Sequence, residues 1–100
     1  MTENALVFVT ATPNSADQPA MREYLQKAVP LLIAGGGTLL GRGAVQKTAN
    51  GNPNYKIAMA MAFENIEAAQ VVFDSDDYLA LKSVRDRGFT QIDIALAKSL

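Results

Sequence analysis

The sequence predicts an α+β domain with the β-α-β-β-α-β order of the ferredoxin-like, or split βαβ, plan. Two observations point there. A strand–helix–strand pattern occurs twice within 100 residues, and the strands carry apolar residues on both of their alternating faces. A β-rich run from Ala5 to Thr12 leads to a helical run from about Asp17 to Ala34 and then a strand from Thr38 to Thr48. A second β-rich run, Asn54 to Phe63, leads to helical stretches over Asn65 to Phe73 and Asp76 to Arg87 and a last strand from Phe89 to Ala97. A single domain spanning residues 1–100 is expected, since a chain of this length builds one core.

In the first strand Leu6 and Phe8 point one way while Val7 and Val9 point the other. Asn14 to Pro19 is turn chemistry entering a helix, with Ser15 or Asp17 as the cap and Pro19 tolerated in the first turn. Met21, Tyr24, Leu25, Ala28, Leu31 and Leu32 recur at helical spacing and form one apolar stripe. Pro30 lies inside that stripe, removes a backbone bond to Gln26 and is expected to kink the helix. Gly35-Gly36-Gly37 ends it.

The second strand has Gly41 and Gly43 on one face and Arg42 on the other. The glycines are expected to allow close approach of a helix backbone, which leaves Arg42 on the opposite, helix-free face. Asn50-Gly51-Asn52-Pro53 makes the turn of a hairpin with the third strand. That strand sorts Tyr55, Ile57, Met59, Met61 and Phe63 to one face and Ala58, Ala60 and Ala62 to the other. Asn65 caps the next helix. Ser75 caps the one after it, with Asp76 and Asp77 suited to its N-terminal dipole. Tyr78, Leu81 and Val84 or Arg85 share a face there, and Gly88 ends it. The last strand places Ile92, Ile94 and Leu96 opposite Gln91, Asp93 and Ala95.

Composition narrows the chemistry. Apolar residues make up 49% of the chain, charged residues 19%, and the net charge is −1. With no basic run, neither nucleic acid nor an anionic membrane is an expected partner. There is no Cys, hence no thiolate nucleophile, disulfide or Cys-held metal. There is no His, the commonest general base at neutral pH and the usual proximal haem ligand. No cofactor and no metal are expected. Asp74, Asp76 and Asp77 lack the spaced oxygens, Gly and closing Glu of a Ca²⁺ loop and read as helix capping. No signal peptide or membrane-spanning run is evident, which makes the cytoplasm the expected location.

An antiparallel sheet with one wet face should alternate apolar and polar residues, and these strands do not. One helix layer covers one face. The other would be an apolar patch above the ~300–600 Å² usual on monomers, so a homodimer stacked through the bare sheet faces is expected.

Several segments resemble a known family. Leu40-Gly41-Arg42-Gly43 is similar to the Arg-Gly that follows an apolar pair in the domain-of-unknown-function 1330 (DUF1330) family. Phe73-Asp-Ser-Asp-Asp-Tyr78 resembles that family's aromatic-x-Ser-Pro-Glu-Tyr helix start, without the Pro. Arg85, seven residues past Tyr78, matches the family's Arg on the same helix, and Tyr24, Pro30 and the Gly-rich stop fit its first helix. The likeness runs from about Leu6 to Ala95. Where the family often carries a Glu before the Phe that ends the third strand, this chain has Ala62. The resemblance implies the dimeric α/β-barrel superfamily, whose members include cofactor-free monooxygenases, isomerases and haem enzymes with ligands held between sheet and helices.

Arg42, Tyr78 and Arg85 are the candidate ligand-binding residues; no catalytic residue is assigned. A guanidinium on a sheet face can clamp a carboxylate or enolate, or else pair with an acid such as Asp93 of the partner subunit. Tyr78 and Arg85, two turns apart, either line a cavity mouth or pack ordinarily. The expected function is binding of a small anionic or aromatic metabolite, with or without a cofactor-independent reaction upon it. The alternative is a non-catalytic accessory or assembly dimer with a packed cavity. A solvent-reachable pocket with converging polar groups separates the first from the second.

Overall fold

The computed structural model describes residues 5–100. Residues 1–4, on which the expectation of no leader segment partly rests, lie outside the described residues. The elements are β1 (Ala5–Pro13), α1 (Gln18–Ala34), β2 (Thr38–Ala44), β3 (Ile57–Phe63), α2 (Ile66–Asp74), α3 (Asp76–Leu79), α4 (Lys82–Gly88) and β4 (Phe89–Lys98). The four strands form one sheet in the order β2-β3-β1-β4, with every neighbouring pair antiparallel. This is the ferredoxin-like fold that the doubled pattern predicts. All helices lie on one face, and the molecule is a slab of 40 × 36 × 15 Å.

Local chemistry sets the element ends. Asp17 caps α1 by accepting from the Ala20 N–H at 3.2 Å, and Asn65 caps α2 from Ala68 at 2.7 Å. The α3 cap is Ser75, whose hydroxyl accepts from the Tyr78 N–H at 3.2 Å. Gly36, at φ +105°, supplies the left-handed residue that turns the chain out of α1. The helix runs through Pro30 as one element.

Side chains of Ala5, Val7 and Ala11 from β1 and of Met61 and Phe63 from β3 are buried beneath the helices. From α1 the buried residues are Ala20, Tyr24, Ala28 and Leu32, a strict four-residue spacing in which Tyr24, Ala28 and Leu32 belong to the predicted stripe and Ala20 extends it by one turn. Close approach of α1 and α4 depends on Gly88, where a Cβ would fall 2.6 Å from the Met21 nitrogen.

Four expectations change. The second strand stops at Ala44, not Thr48, and the third starts at Ile57, which leaves Tyr55 in the connecting loop. The helix expected over Asp76 to Arg87 is broken at Ala80-Leu81 into α3 and α4, because the Leu81 N–H bonds back three residues to the Tyr78 carbonyl at 2.8 Å. Nothing lies within 4 Å of a Cβ built on Gly41 or Gly43, so no helix backbone approaches them. Arg42 is on the helix side of the sheet, not the helix-free side. The reason is a bulge: Leu39 pairs with Met61, but Gly41, not Leu40, pairs with Ala60, and Arg42 pairs with Met59. One extra residue reverses the facing of all that follow it.

The other sheet face is bare. Leu6 and Phe8 of β1, Ala58 and Ala60 of β3 and Ala95 of β4 share it by register, and Phe8 is 44% exposed.

Candidate functional site

The apolar layer between α1 and the sheet is closed at one end and hollow at the other. Around Val7, Met61 and Phe63 it is solid. Beyond them, towards the β2–β3 loop, a cavity of about 640 Å³ opens between α1 and all four strands. Its body is apolar, with Val9, Ile57, Met59, Ile92 and Ile94 from the sheet. Its polar groups are few: Arg22, Tyr24 and Gln26 from α1 and Arg42 from β2. Arg22 and Arg42 are both solvent-exposed, which puts two guanidinium groups at the mouth of an apolar hollow.

The bulge at Leu40 is what brings Arg42 here. In a regular strand, Arg42 would face away from α1, and the cavity rim on β2 would be glycine.

Tyr78 and Arg85 belong together, as their seven-residue spacing suggests, although the helix breaks between them. An Arg85 Nη1–H donates to the Tyr78 hydroxyl oxygen at 3.1 Å, and the guanidinium carbon stands 6.0 Å from the ring centre. They face a second hollow of about 370 Å³ with Gln70 and Lys82. Arg42 is not among them. Phe73 and Ile94 line both spaces and form the partition between them.

The link across that partition is Tyr24. Its hydroxyl lies 2.9 Å from the Tyr78 hydroxyl, and both side chains are buried. The rings meet edge to face at 6.2 Å, and Tyr24 packs in the same way on Phe89 at 5.7 Å. Burial, and then the bond to Tyr78, push the Tyr24 phenol well above its ordinary range, while the Arg85 charge pulls it back. Tyr24 is therefore neutral at any physiological pH and serves as a hydrogen-bonding group, not a base. Partial burial works against the Arg85 charge, but bonds to Tyr78 and to the Asp86 carboxylate at 3.2 Å outweigh it and raise its pKa further. Arg85 is a permanent cation.

Arg22 and Gln26 were not evident as site residues in the sequence. They stand one turn apart on α1, beside the apolar stripe instead of in it, and that i, i+4 polar pair is the signal that marks them. Tyr24 reads as a stripe residue; the need of a buried phenol for a polar partner is what distinguishes it from Leu25. Ala62, where the family often has Glu, pairs with Leu6 and Thr38 and so faces away from Arg42. No cluster of three or more metal-ligating side chains occurs among the described residues.

The model for a domain of unknown function, DUF1330, matches residues 6–99. The chain belongs to the DUF1330 family. Its fold recurs in proteins of distant sequence. A Rhodopseudomonas palustris protein of unknown function, RPA0582, superposes with a TM-score of 0.81 at 11% identity, covering 100% of this chain and 85% of that one. A Mesorhizobium loti DABB family protein with a ferredoxin-like fold gives 0.65 at 19% identity, over 99% of each chain. A Nitrosomonas europaea protein named for the antibiotic biosynthesis monooxygenases gives 0.67 at 12% identity, over 100% of this chain and 93% of that one. At these identities the likeness concerns the fold alone. Among curated proteins, none matches this DUF1330 sequence. No helix among the described residues is long and apolar enough to cross a membrane.

Proposed function

We propose that this DUF1330 protein binds a small organic anion with an apolar body in the cavity between α1 and the sheet, and that it does so as a homodimer joined through the helix-free sheet faces. One observation carries the ligand class: Arg22 and Arg42 at the rim of a cavity whose interior is aliphatic. Arg42 orients the carboxylate or enolate end by a charge-assisted, two-pronged contact. Aromatic or branched aliphatic carbon fills the interior. Tyr78 and Arg85 make up the polar wall behind Tyr24.

Binding and orientation are better supported than a self-contained reaction. None of the described residues lining the cavity is Asp, Glu or Lys, so proton abstraction has no base of ordinary strength there. The chain's own contribution to any cofactor-independent step is electrostatic positioning by guanidinium and phenol groups.

The dimer is supported by the helix-free face, whose apolar part is built from Leu6, Phe8 and a row of alanines, with Thr10 and Asp93 beyond them. Stacking two copies removes it from water. Sedimentation should give twice the 10.7 kDa protomer mass, and Ala60→Lys should give the protomer.

Calorimetric titration with benzoate and with neutral benzamide tests the ligand class. Benzoate should bind more tightly, and Arg42→Ala should lower its affinity roughly tenfold, the scale of one charged hydrogen-bond pair, while benzamide binding barely changes. Equal binding of both compounds, unaltered in Arg42→Ala, would overturn the reading.

A further inference from the structure

The Tyr24–Tyr78–Arg85 cluster holds more protons than it has acceptors. A guanidinium only donates, so the 3.1 Å contact makes the Tyr78 oxygen the acceptor of an Arg85 proton. The two phenol oxygens, 2.9 Å apart, share one of their two hydroxyl protons. No other hydrogen bond engages either hydroxyl among the described residues, so the second proton has no protein acceptor. It sits on a phenol that is at least 95% buried whichever ring carries it, with Tyr24 5% and Tyr78 3% exposed.

Direction follows from charge. The Tyr78 oxygen accepts from a cation, which polarises its O–H bond and makes Tyr78 the better hydrogen-bond donor. The head-to-tail order Arg85 to Tyr78 to Tyr24 lets each bond polarise the next. The reverse order loads two donors onto the Tyr78 oxygen and loses that gain. The spare proton is then on Tyr24, the member of the cluster that borders the large cavity.

We propose that Arg85, Tyr78 and Tyr24 form a donor relay whose last O–H donates a hydrogen bond to an oxygen of the ligand in the large cavity. The ligand class narrows accordingly. It carries, on an apolar frame, an acceptor oxygen of phenolate, enolate or carbonyl type that reaches the α1 side of the cavity. Arg85 acts on it through two phenols, without lining the cavity, and is a positioning residue. The high pKa of Tyr24 suits this role, because the terminal donor keeps its proton at every working pH. The inference rests on the reading that the cavity binds a small molecule.

Two probes of nearly one shape test it, 4-nitrophenol and nitrobenzene, each titrated into the full-length protein. Nitrobenzene reports occupancy of the cavity. The absorbance of bound 4-nitrophenol reports its ionisation, hence donation to its oxygen. Both should bind, with the pKa of bound 4-nitrophenol lowered by about one unit, a tenfold preference for the phenolate. Tyr24→Phe and Tyr78→Phe should each abolish most of that shift while nitrobenzene affinity stays within about twofold. Tyr78→Phe is decisive, since it keeps the charges of Arg85, Arg22 and Arg42 and only cuts the relay. It also decides alone should Tyr24→Phe fail to fold. Arg85→Gln should weaken the shift and Arg85→Lys restore part of it. A shift that survives Tyr78→Phe overturns the relay and leaves the cavity standing. Failure of both probes to bind at millimolar concentration overturns the cavity reading and the relay with it.

Discussion

The two ends of the helix-facing side of the sheet are made of the same strands and nearly the same residues, yet one is solid and the other hollow. At the solid end Val7, Met61 and Phe63 are wholly buried. One step along the same face, about 7 Å away, Val9 and Met59 are partly exposed and line the cavity, as does Ile57 one step further on. The difference is in the cover. Leu32 of α1 with Ala69 and Val72 of α2 close the solid end. On the helix side of the other end the cavity is bordered by α1 and Phe73 of α2, because Tyr78, Leu81 and Val84 pack instead with Ala20, Tyr24 and Ala28 of α1 and with Phe89. A cavity in this fold comes from the placement of a second helix, not from a change in the strands below it.

The sharpest way to break that comparison is to truncate one residue at each end. Phe63→Ala should cost about 3–5 kcal/mol in denaturant unfolding, the range for emptying a closed aromatic site. Met59→Ala, four residues earlier on the same face, should cost under about 1.5 kcal/mol, since its side chain already borders open space. Equal costs would mean that the hollow end is packed in solution.

Titration separates the ends next. Among the described residues the buried cluster at the solid end holds no ionisable group, whereas the wall of the hollow end holds Tyr24. A phenol whose pKa is raised on folding stabilises the fold fully below the unfolded value of about 10, and that contribution is lost as pH rises above it. Stability should therefore decline above pH ~10 by about 1.4 kcal/mol per unit for this one proton, and Tyr24→Phe should flatten that decline. Unfolding free energies measured from pH 8 to 11 check both the slope and its removal.

How far the sequence discloses this molecule varies by feature. Element order, caps and the α1 stripe are legible because each rests on local chemistry: Asp17, Asn65 and Ser75 cap as their types and positions predict. The two apolar sheet faces are legible for the same reason. Facing in β2 is not. Gly41 and Gly43 suit a bulge as well as a close helix approach, but nothing in Thr38 to Ala44 fixes where the extra residue falls, and the strict alternation that sorts β3 correctly sends Arg42 to the wrong side after Leu40. The hollow is also invisible, since Ile57, Met59, Met61 and Phe63 form one uninterrupted pattern whose burial depends on a helix elsewhere. Tyr78 and Arg85 are found as a pair despite the break at Ala80-Leu81, because Leu81 donates back to Tyr78 and keeps the turn tight enough for the contact.

The bulge supplies the next test. Exchanging the two residues that follow it, Gly41→Arg with Arg42→Gly, keeps the bulge and should place the guanidinium opposite Ala60, on the helix-free face. Benzoate affinity should drop about tenfold, much as in Arg42→Ala. The solid end should be untouched, so the unfolding free energy of Phe63→Ala relative to its parent should be the same with and without the exchange. Retained benzoate affinity would show that Arg42 does not act at the cavity rim.

The smallest expected effect comes from filling the hollow instead of emptying the core. Ala44 ends β2, pairs with Ile57 and lines the cavity from the helix-facing side. A branched side chain there suits an edge strand and covers apolar surface that water now reaches. Ala44→Ile should raise stability by about 0.5–1 kcal/mol, a shift of a few degrees in Tm for a domain of this size. The same methyl groups take volume from the ligand, so benzoate and nitrobenzene should both weaken. Stability and affinity then move in opposite directions, which is the signature of a space kept open at the expense of packing. A gain in stability with affinity unchanged would place the ligand elsewhere, beside Tyr78 and Lys82 in the smaller hollow, and would make the open end of this sheet a plain packing defect.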